Sequence, residues 1–256
     1  MYKKLDKENM FNAIWEFPDN LLEANRLGEN IKLELDYSNI NSIVVAGMGG
    51  SAIGGDVVSV LEKEFINVPF FVCRGYSVPK WVNKNTLVIC SSYSGNTEET
   101  LAALNDSMIK GAQVCGITTG GLLAKILETE NKDVVIIPSG LQPRAALAFS
   151  FVPMIKLLQE IGILNTRIDS WLPNVIESLS KNRELYCLDS NKNPIIELVD
   201  QIHNKIPIIY SGNCSMNVAA LRLKGQICEN SKMLCYYNDL PELNHNEIVG
   251  WENNSI

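Results

Sequence analysis

Histidine is nearly absent from this 256-residue chain: His203 and His245 are the only two. The seven cysteines, at 73, 90, 115, 187, 214, 228 and 235, include no Cys-x-x-Cys pair. No His/Cys cluster is therefore available for a zinc site, and no metal is expected. No run of 18 apolar residues occurs, so no helical membrane span is expected. The N-terminus, Met-Tyr-Lys-Lys-Leu-Asp-Lys-Glu-Asn-Met, has no apolar stretch of signal-peptide length behind its charges. A basic block is missing too. Lys and Arg number 22 against 29 Asp and Glu, a net charge of −7, without the electrostatic footprint of a nucleic-acid binder. An odd cysteine count, mostly inside apolar runs such as Leu87-Val88-Ile89-Cys90, reads as buried reduced thiols. These absences predict a soluble, cytoplasmic protein with no nucleic-acid or membrane partner.

What is present is ordinary globular material, 46% apolar and 20% charged, long enough to bury a sizeable core. Its rhythm is strand, glycine-rich turn, helix. After a helical stretch around Pro18 to Gly28, Ser42 to Gly47 reads as a buried strand ending on glycines. A helix follows from about Ser51 to Glu64. Further strands are expected at Val68–Val72, Thr86–Ser91, Gln113–Thr118 and Asp133–Ile137, with helices at Thr97–Lys110 and near Leu122–Glu128. Continuously apolar strands alternating with helices predict a three-layer αβα arrangement around a five-stranded parallel sheet. From Pro143 to about Gln201 the pattern is helical. A strand at Ile206–Gly212, a helix at Ser215–Glu229 and a strand at Lys232–Tyr237 then restart the rhythm. The stretch Ile208–Ser215 loosely echoes Val44–Ser51, each with a serine where a strand turns into a helix, which fits an internal duplication. About 50 residues follow Pro207, too few for a second complete unit. The expected division is 1–160 for the first domain, and 161–256 for a helical connection with a partial, shortened second one.

Two turns carry the chemistry. Gly47-Met48-Gly49-Gly50-Ser51-Ala52-Ile53-Gly54-Gly55-Asp56 places five glycines between a strand and a helix. Glycines admit close approach of a ligand to the backbone, and a helix N-terminus attracts an anion. A tight turn packing helix on strand is the plainer reading, and the glycine count exceeds what it needs. Ser91-Ser92-Tyr93-Ser94-Gly95-Asn96-Thr97-Glu98-Glu99-Thr100 again leaves a strand and opens a helix. Its hydroxyls and backbone donors suit a phosphate monoester with no obligatory metal. Helix capping by Asn96 with Glu99 is the plainer reading there, and it leaves the hydroxyl density unexplained. Both turns lie at the carboxyl ends of strands, where open α/β sheets bind ligands.

Together these segments resemble the sugar isomerase (SIS) domain. With Pro143-Arg144-Ala145-Ala146-Leu147, Gln226-Ile227-Cys228-Glu229-Asn230 and Glu242-Leu243-Asn244-His245-Asn246-Glu247, the chain more specifically resembles the bifunctional phosphoglucose/phosphomannose isomerases. The resemblance implies interconversion of glucose 6-phosphate, and of mannose 6-phosphate, with fructose 6-phosphate through a cis-enediol(ate). It implies Gly49, Gly50, Ser51, Ser92, Ser94 and Thr97 as substrate-binding residues and Glu229 as the base. A carboxylate at a helix C-terminus is disfavoured by the dipole, which argues for a purpose at Glu229. His245 is the candidate for ring opening, since imidazole exchanges a proton near neutral pH. Arg144 would stabilise the enediolate oxygens. His203 reads as structural. The resemblance also implies a homodimer with shared sites and no cofactor; the apolar Phe149–Ile155 stretch fits a buried interface and an intrachain core equally well.

Two other classes compete. A non-catalytic phosphosugar-binding SIS module would need neither Glu229 nor His245. A dinucleotide-dependent oxidoreductase is allowed by Gly47-x-Gly49-x-x-Ala52. Its ribose-binding acid is missing from Val72-Cys73-Arg74-Gly75, where Arg74 would instead suit a 2′-phosphate.

Overall fold

The computed structural model describes residues 5–165, 168–187, 193–212 and 215–252. The chain divides into two compact units, Met1–Lys181 and Asn182–Ile256.

In the first, helices α1 (Met10–Trp15) and α2 (Phe17–Gly28) lead into β1 (Ser42–Ala46) and α3 (Gly49–Leu61). Then come β2 (Phe70–Cys73), β3 (Thr86–Ser91), α4 (Glu98–Ile109), β4 (Gln113–Thr118), α5 (Gly121–Thr129) and β5 (Val134–Ile136). A 3-10 turn, Pro143–Ala145, precedes α6 (Leu147–Glu160), and α7 (Leu172–Leu185) follows. The five strands form one parallel sheet in the order β2-β1-β3-β4-β5, as the apolar runs predict. Every residue of β1 and β3 is buried. Alternation along the strands divides their side chains between two layers. Val44, Val88, Cys90 and Val114 join Ala103 and Leu104 of α4 and Leu123 and Leu127 of α5 in one core cluster. On the opposite side α3 comes so close that a methyl at Gly55 would lie 3.0 Å from Val45 Cγ1. Helix α6 is buried from Leu147 to Leu158 and packs against α2 and α3. The Phe149–Ile155 stretch is therefore core of its own unit, which removes it as evidence for a subunit interface.

The second unit contains α8 (Pro194–Ile202), β6 (Ile208–Gly212), α9 (Ser215–Gln226), β7 (Tyr236–Leu240) and α10 (Glu247–Trp251). β6 and β7 pair in parallel, with Ile208 opposite Tyr236. The strand expected at Lys232–Tyr237 starts only at Tyr236 and runs on to Leu240. The reason is local: α9 ends in a π-helical turn, Ile227–Ser231, and Lys232 takes a left-handed conformation (φ 55°), which uses up the preceding residues as a link. Cys73, Cys90, Cys115 and Cys235 are buried free thiols. Burial pushes the Cys90 thiol up to about 12, which makes it unreactive. Cys214 lies outside the described residues. Among the described residues no helix is long and apolar enough to cross a membrane.

Candidate active site

From β1 the chain goes outward to β2 on one side, while β3, β4 and β5 lie on the other, so the sheet order reverses at the β1/β3 boundary. Open parallel sheets bind ligands at that boundary, outside the carboxyl ends of the strands. The two turns picked out in the sequence are the ones that leave β1 and β3. They meet through a hydrogen bond from the Tyr93 N–H to Ser51 Oγ, at 3.3 Å.

Helix α3 starts at Gly49, earlier than expected, after an extended Met48 and with no side-chain cap. Its first two N–H groups, at Gly49 and Gly50, precede the first bonds to the Met48 carbonyl and present the positive end of the helix dipole. The glycine surplus has a different origin from the one expected. A methyl at Gly47 would fall 2.8 Å from the Ser91 carbonyl oxygen, at Gly50 2.6 Å from the Pro143 carbonyl oxygen, and at Gly54 2.5 Å from Ser150 Oγ. Close packing accounts for these positions and for Gly55. Gly49 alone of the five faces open space, with φ +50°. What the turn offers a ligand is its main-chain N–H groups at Gly49 and Gly50 and the Ser51 hydroxyl, rather than its glycine content; the Ser51 N–H is already given to the Met48 carbonyl at 3.1 Å.

The hydroxyls are pre-set as donors. Ser51 accepts the Tyr93 N–H, buried Ser92 accepts the Gly95 N–H at 3.1 Å, and Ser94 accepts the Asn96 N–H at 3.2 Å. A hydroxyl whose oxygen already accepts still has its proton to give. Ser92 and Thr97 share a bond of 2.8 Å, which uses one of their two protons and leaves the other. Several O–H donors on adjoining turns, beside the N–H groups of Gly49 and Gly50, are the chemistry of an anion site.

The capping box expected at Asn96 and Glu99 does not form. Helix α4 begins at Glu98 behind Thr97, without a side-chain cap. Gly95, at φ +68°, lies against Gly120, so the Asn96 carboxamide oxygen instead accepts the Leu122 N–H of α5 at 3.0 Å. This contact exposes a third turn that the sequence reading passed over, Thr118-Thr119-Gly120-Gly121. Thr119 N–H donates to the Tyr93 carbonyl at 3.1 Å and Leu123 N–H to that of Gly95 at 2.9 Å. Its position between strand and helix, with paired threonines and glycines, was the available signal.

Arg144 sits in the 3-10 turn that Gly50 packs against, so the Pro-Arg-Ala-Ala segment adjoins the start of α3. Its guanidinium forms an ion pair with Glu8 at 3.3 Å, and Gln142 donates to the same carboxylate at 3.1 Å. A small gap between Gly50, Ser51, Ser91, Tyr93 and Pro143 lies where the turn meets the start of α3. Arg74 is bonded to Asp56 of α3, whose carboxyl is raised above its usual value by burial and pulled back by that arginine. The guanidinium considered for a 2′-phosphate is thus already engaged.

Gly49, Gly50, Ser51, Ser92, Ser94, Thr97 and Arg144 all fall on adjoining turns of the first unit. Glu229 and His245 fall on the second. Glu229 is exposed in the π-helical turn, a local geometry that is frequent at functional sites. Burial lowers the pKa of Arg222, and the Glu229 carboxylate opposes that shift. His245 is exposed at the end of a 3-10 turn, Glu242–His245. Glu247, two residues on, was not singled out in the sequence. Its carboxylate accepts from Tyr210 of β6 and from Asn238 of β7, the latter at 2.6 Å, and these bonds hold it below the usual carboxylate range. It ties the segment bearing His245 to both strands. Among the described residues no group of three His, Cys, Asp or Glu could hold a metal ion.

The doubly wound fold, with hydroxyl-lined turns at its carboxyl rim, defines an SIS-type architecture. The C-terminal domain of glucosamine-fructose-6-phosphate aminotransferase from Francisella tularensis matches it with a TM-score of 0.72 at 18% identity, over 96% of this chain and 74% of that one. The family model described as the bacterial phospho-glucose isomerase C-terminal SIS domain matches residues 191–256. A bifunctional phosphoglucose/phosphomannose isomerase of Caldicellulosiruptor bescii is 44% identical over 245 residues, 95% of this chain and 72% of the relative. One from Thermoplasma acidophilum is 39% identical over 231 residues, 89% and 68%. The chain belongs to the bifunctional phosphoglucose/phosphomannose isomerase family.

Proposed function

We propose that the chain interconverts glucose 6-phosphate, and mannose 6-phosphate, with fructose 6-phosphate. The observation that supports this most directly is the donor set at the β1/β3 boundary, in a chain 44% identical to such an isomerase. Ser51, Ser92, Ser94 and Thr97, with the N–H groups of Gly49 and Gly50, hold the 6-phosphate. His245 exchanges the proton that opens the sugar ring. Glu229 takes the C2 proton of the open-chain aldose and returns it at C1, while the hydroxyl proton passes from O2 to O1. Arg144 leaves Glu8 to stabilise the enediolate oxygens formed between these steps. The steps move protons alone, so the reaction is written without a metal or cofactor.

The same reading takes the first unit as one SIS domain and the second as a partial one. It places the enzyme in the cytoplasm as a homodimer. Exposed apolar side chains on α8 (Ile195, Ile196, Leu198 and Val199) support association. The deciding experiment is an isomerase assay with fructose 6-phosphate alongside calorimetric binding of the same ligand. Turnover with a chelator present supports the reading. Binding without turnover identifies a phosphosugar sensor instead, and rescue of chelated enzyme by a divalent ion overturns the metal-free mechanism.

A further inference from the structure

Tyr93 is buried, 9% exposed, and bonds to three other segments of the first unit. Its N–H reaches Ser51 Oγ on the β1–α3 turn, and its carbonyl accepts from Thr119 on the β4–α5 turn. Its hydroxyl accepts the Leu141 N–H at 3.0 Å. The first two bonds are main-chain bonds that any residue here could make. The third needs a phenol.

Leu141 leads directly into the turn that bears Arg144: the Ala145 N–H closes that turn on the Gln142 carbonyl at 2.8 Å. Glu8, on the far side, is 66% exposed, and a pair with so exposed a partner contributes little energy. The main chain at Leu141 adds a support from within the unit, because the ring that it bonds is buried. The aromatic body is buried beside Ser51 and Pro143.

We propose that Tyr93 is a positioning residue whose hydroxyl, through Leu141, sets where Arg144 stands relative to the Ser51 and Ser92 hydroxyls. This rests on the role given to Arg144 under the proposed function. Two consequences separate it from a merely structural role. Removing the oxygen should disturb the recognition of enediolate oxygens and spare that of phosphate. It should also have no effect once Arg144 is gone.

The test is calorimetry on the full chain with two probes. One is inorganic phosphate. The other is a five-carbon aldonate 5-phosphate, whose carboxylate stands in for the enediolate oxygens. Tyr93→Phe is expected to weaken the aldonate phosphate about 10-fold, as misplacement of an orienting group does, and to leave inorganic phosphate unchanged. Arg144→Ala should show the same selectivity, and the double variant should be no weaker than Arg144→Ala, because residues acting through one another are not additive. Equal loss for both probes, no loss for either, or additive losses overturns the proposal. If the parent chain binds neither probe, the functional reading falls with it; if it binds both and Tyr93→Phe is silent, the positioning role alone falls. Should Tyr93→Phe fail to fold, 4-fluorophenylalanine at position 93 fills the space without an effective acceptor and gives the same readout.

Discussion

In the first unit β1 and β3 are covered on both faces, Ser51 and Ser92 are buried, and three strand-to-helix turns are bonded to one another. In the second, β6 alternates between exposed and half-buried residues, and Glu229 and His245 are exposed. Parallel sheets ordinarily have both faces buried, so the first unit is the complete case and the second the departure. The contrast teaches that the turns proposed to bind the anion are organised within their own unit, whereas the residues proposed for acid–base chemistry are exposed on the other. Substitutions in the first unit should therefore change affinity and stability together. Those in the second should change turnover with little effect on either.

Four experiments break or sharpen that contrast. Glu229→Gln preserves the shape of the π-helical turn and removes the base, so turnover should fall about 10²–10⁴-fold. Steady-state assays with unchanged phosphosugar affinity are the expected result; a parallel loss of affinity would mean that Glu229 also shapes the binding site. His245→Ala should slow turnover by roughly 10²-fold. An open-chain substrate analogue should relieve that defect and leave Glu229→Gln as slow as before, because ring opening precedes proton transfer.

Gly95→Ala puts a methyl 1.8 Å from the Gly120 carbonyl oxygen at a positive φ, and should cost about 2–4 kcal/mol in urea unfolding. Gly212→Ala, with nothing within 4 Å, should stay within about 0.5 kcal/mol. Similar costs at both positions would erase the distinction between a closed unit and an open one. Ser92→Ala with Thr97→Ala removes both members of the 2.8 Å hydroxyl pair. Phosphosugar binding should weaken by about 1–3 kcal/mol, the range for lost bonds to a charged group. Unchanged affinity by calorimetry rejects the phosphate site.

The strands of the first unit were legible because each is a local run of apolar, β-branched residues that stops on glycine or serine, and such punctuation needs no distant partner. The serine-rich turn was legible for the same reason: hydroxyl density at a helix start is a property of consecutive residues. Glu229 and His245 are different. The helix dipole hinted at a purpose for Glu229 and imidazole chemistry at one for His245, but their particular roles came from resemblance.

What the chain by itself determined is the order of its elements, the parallel sheet that such an order produces, and the two turns at its carboxyl rim. Tertiary structure decided what those turns touch. The partner of Asn96 is Leu122 rather than Glu99, and four of the five glycines answer to Ser91, Pro143, Ser150 and Val45. The Phe149–Ile155 stretch covers α2 and α3. Glu8 reaches Arg144 across 136 positions, and Tyr93 reaches Leu141 across 48. Local propensity acts over a turn or two of chain. Contacts between residues this far apart exist only once the sheet has formed and brought their segments together, and no local pattern records which of the possible neighbours arrives.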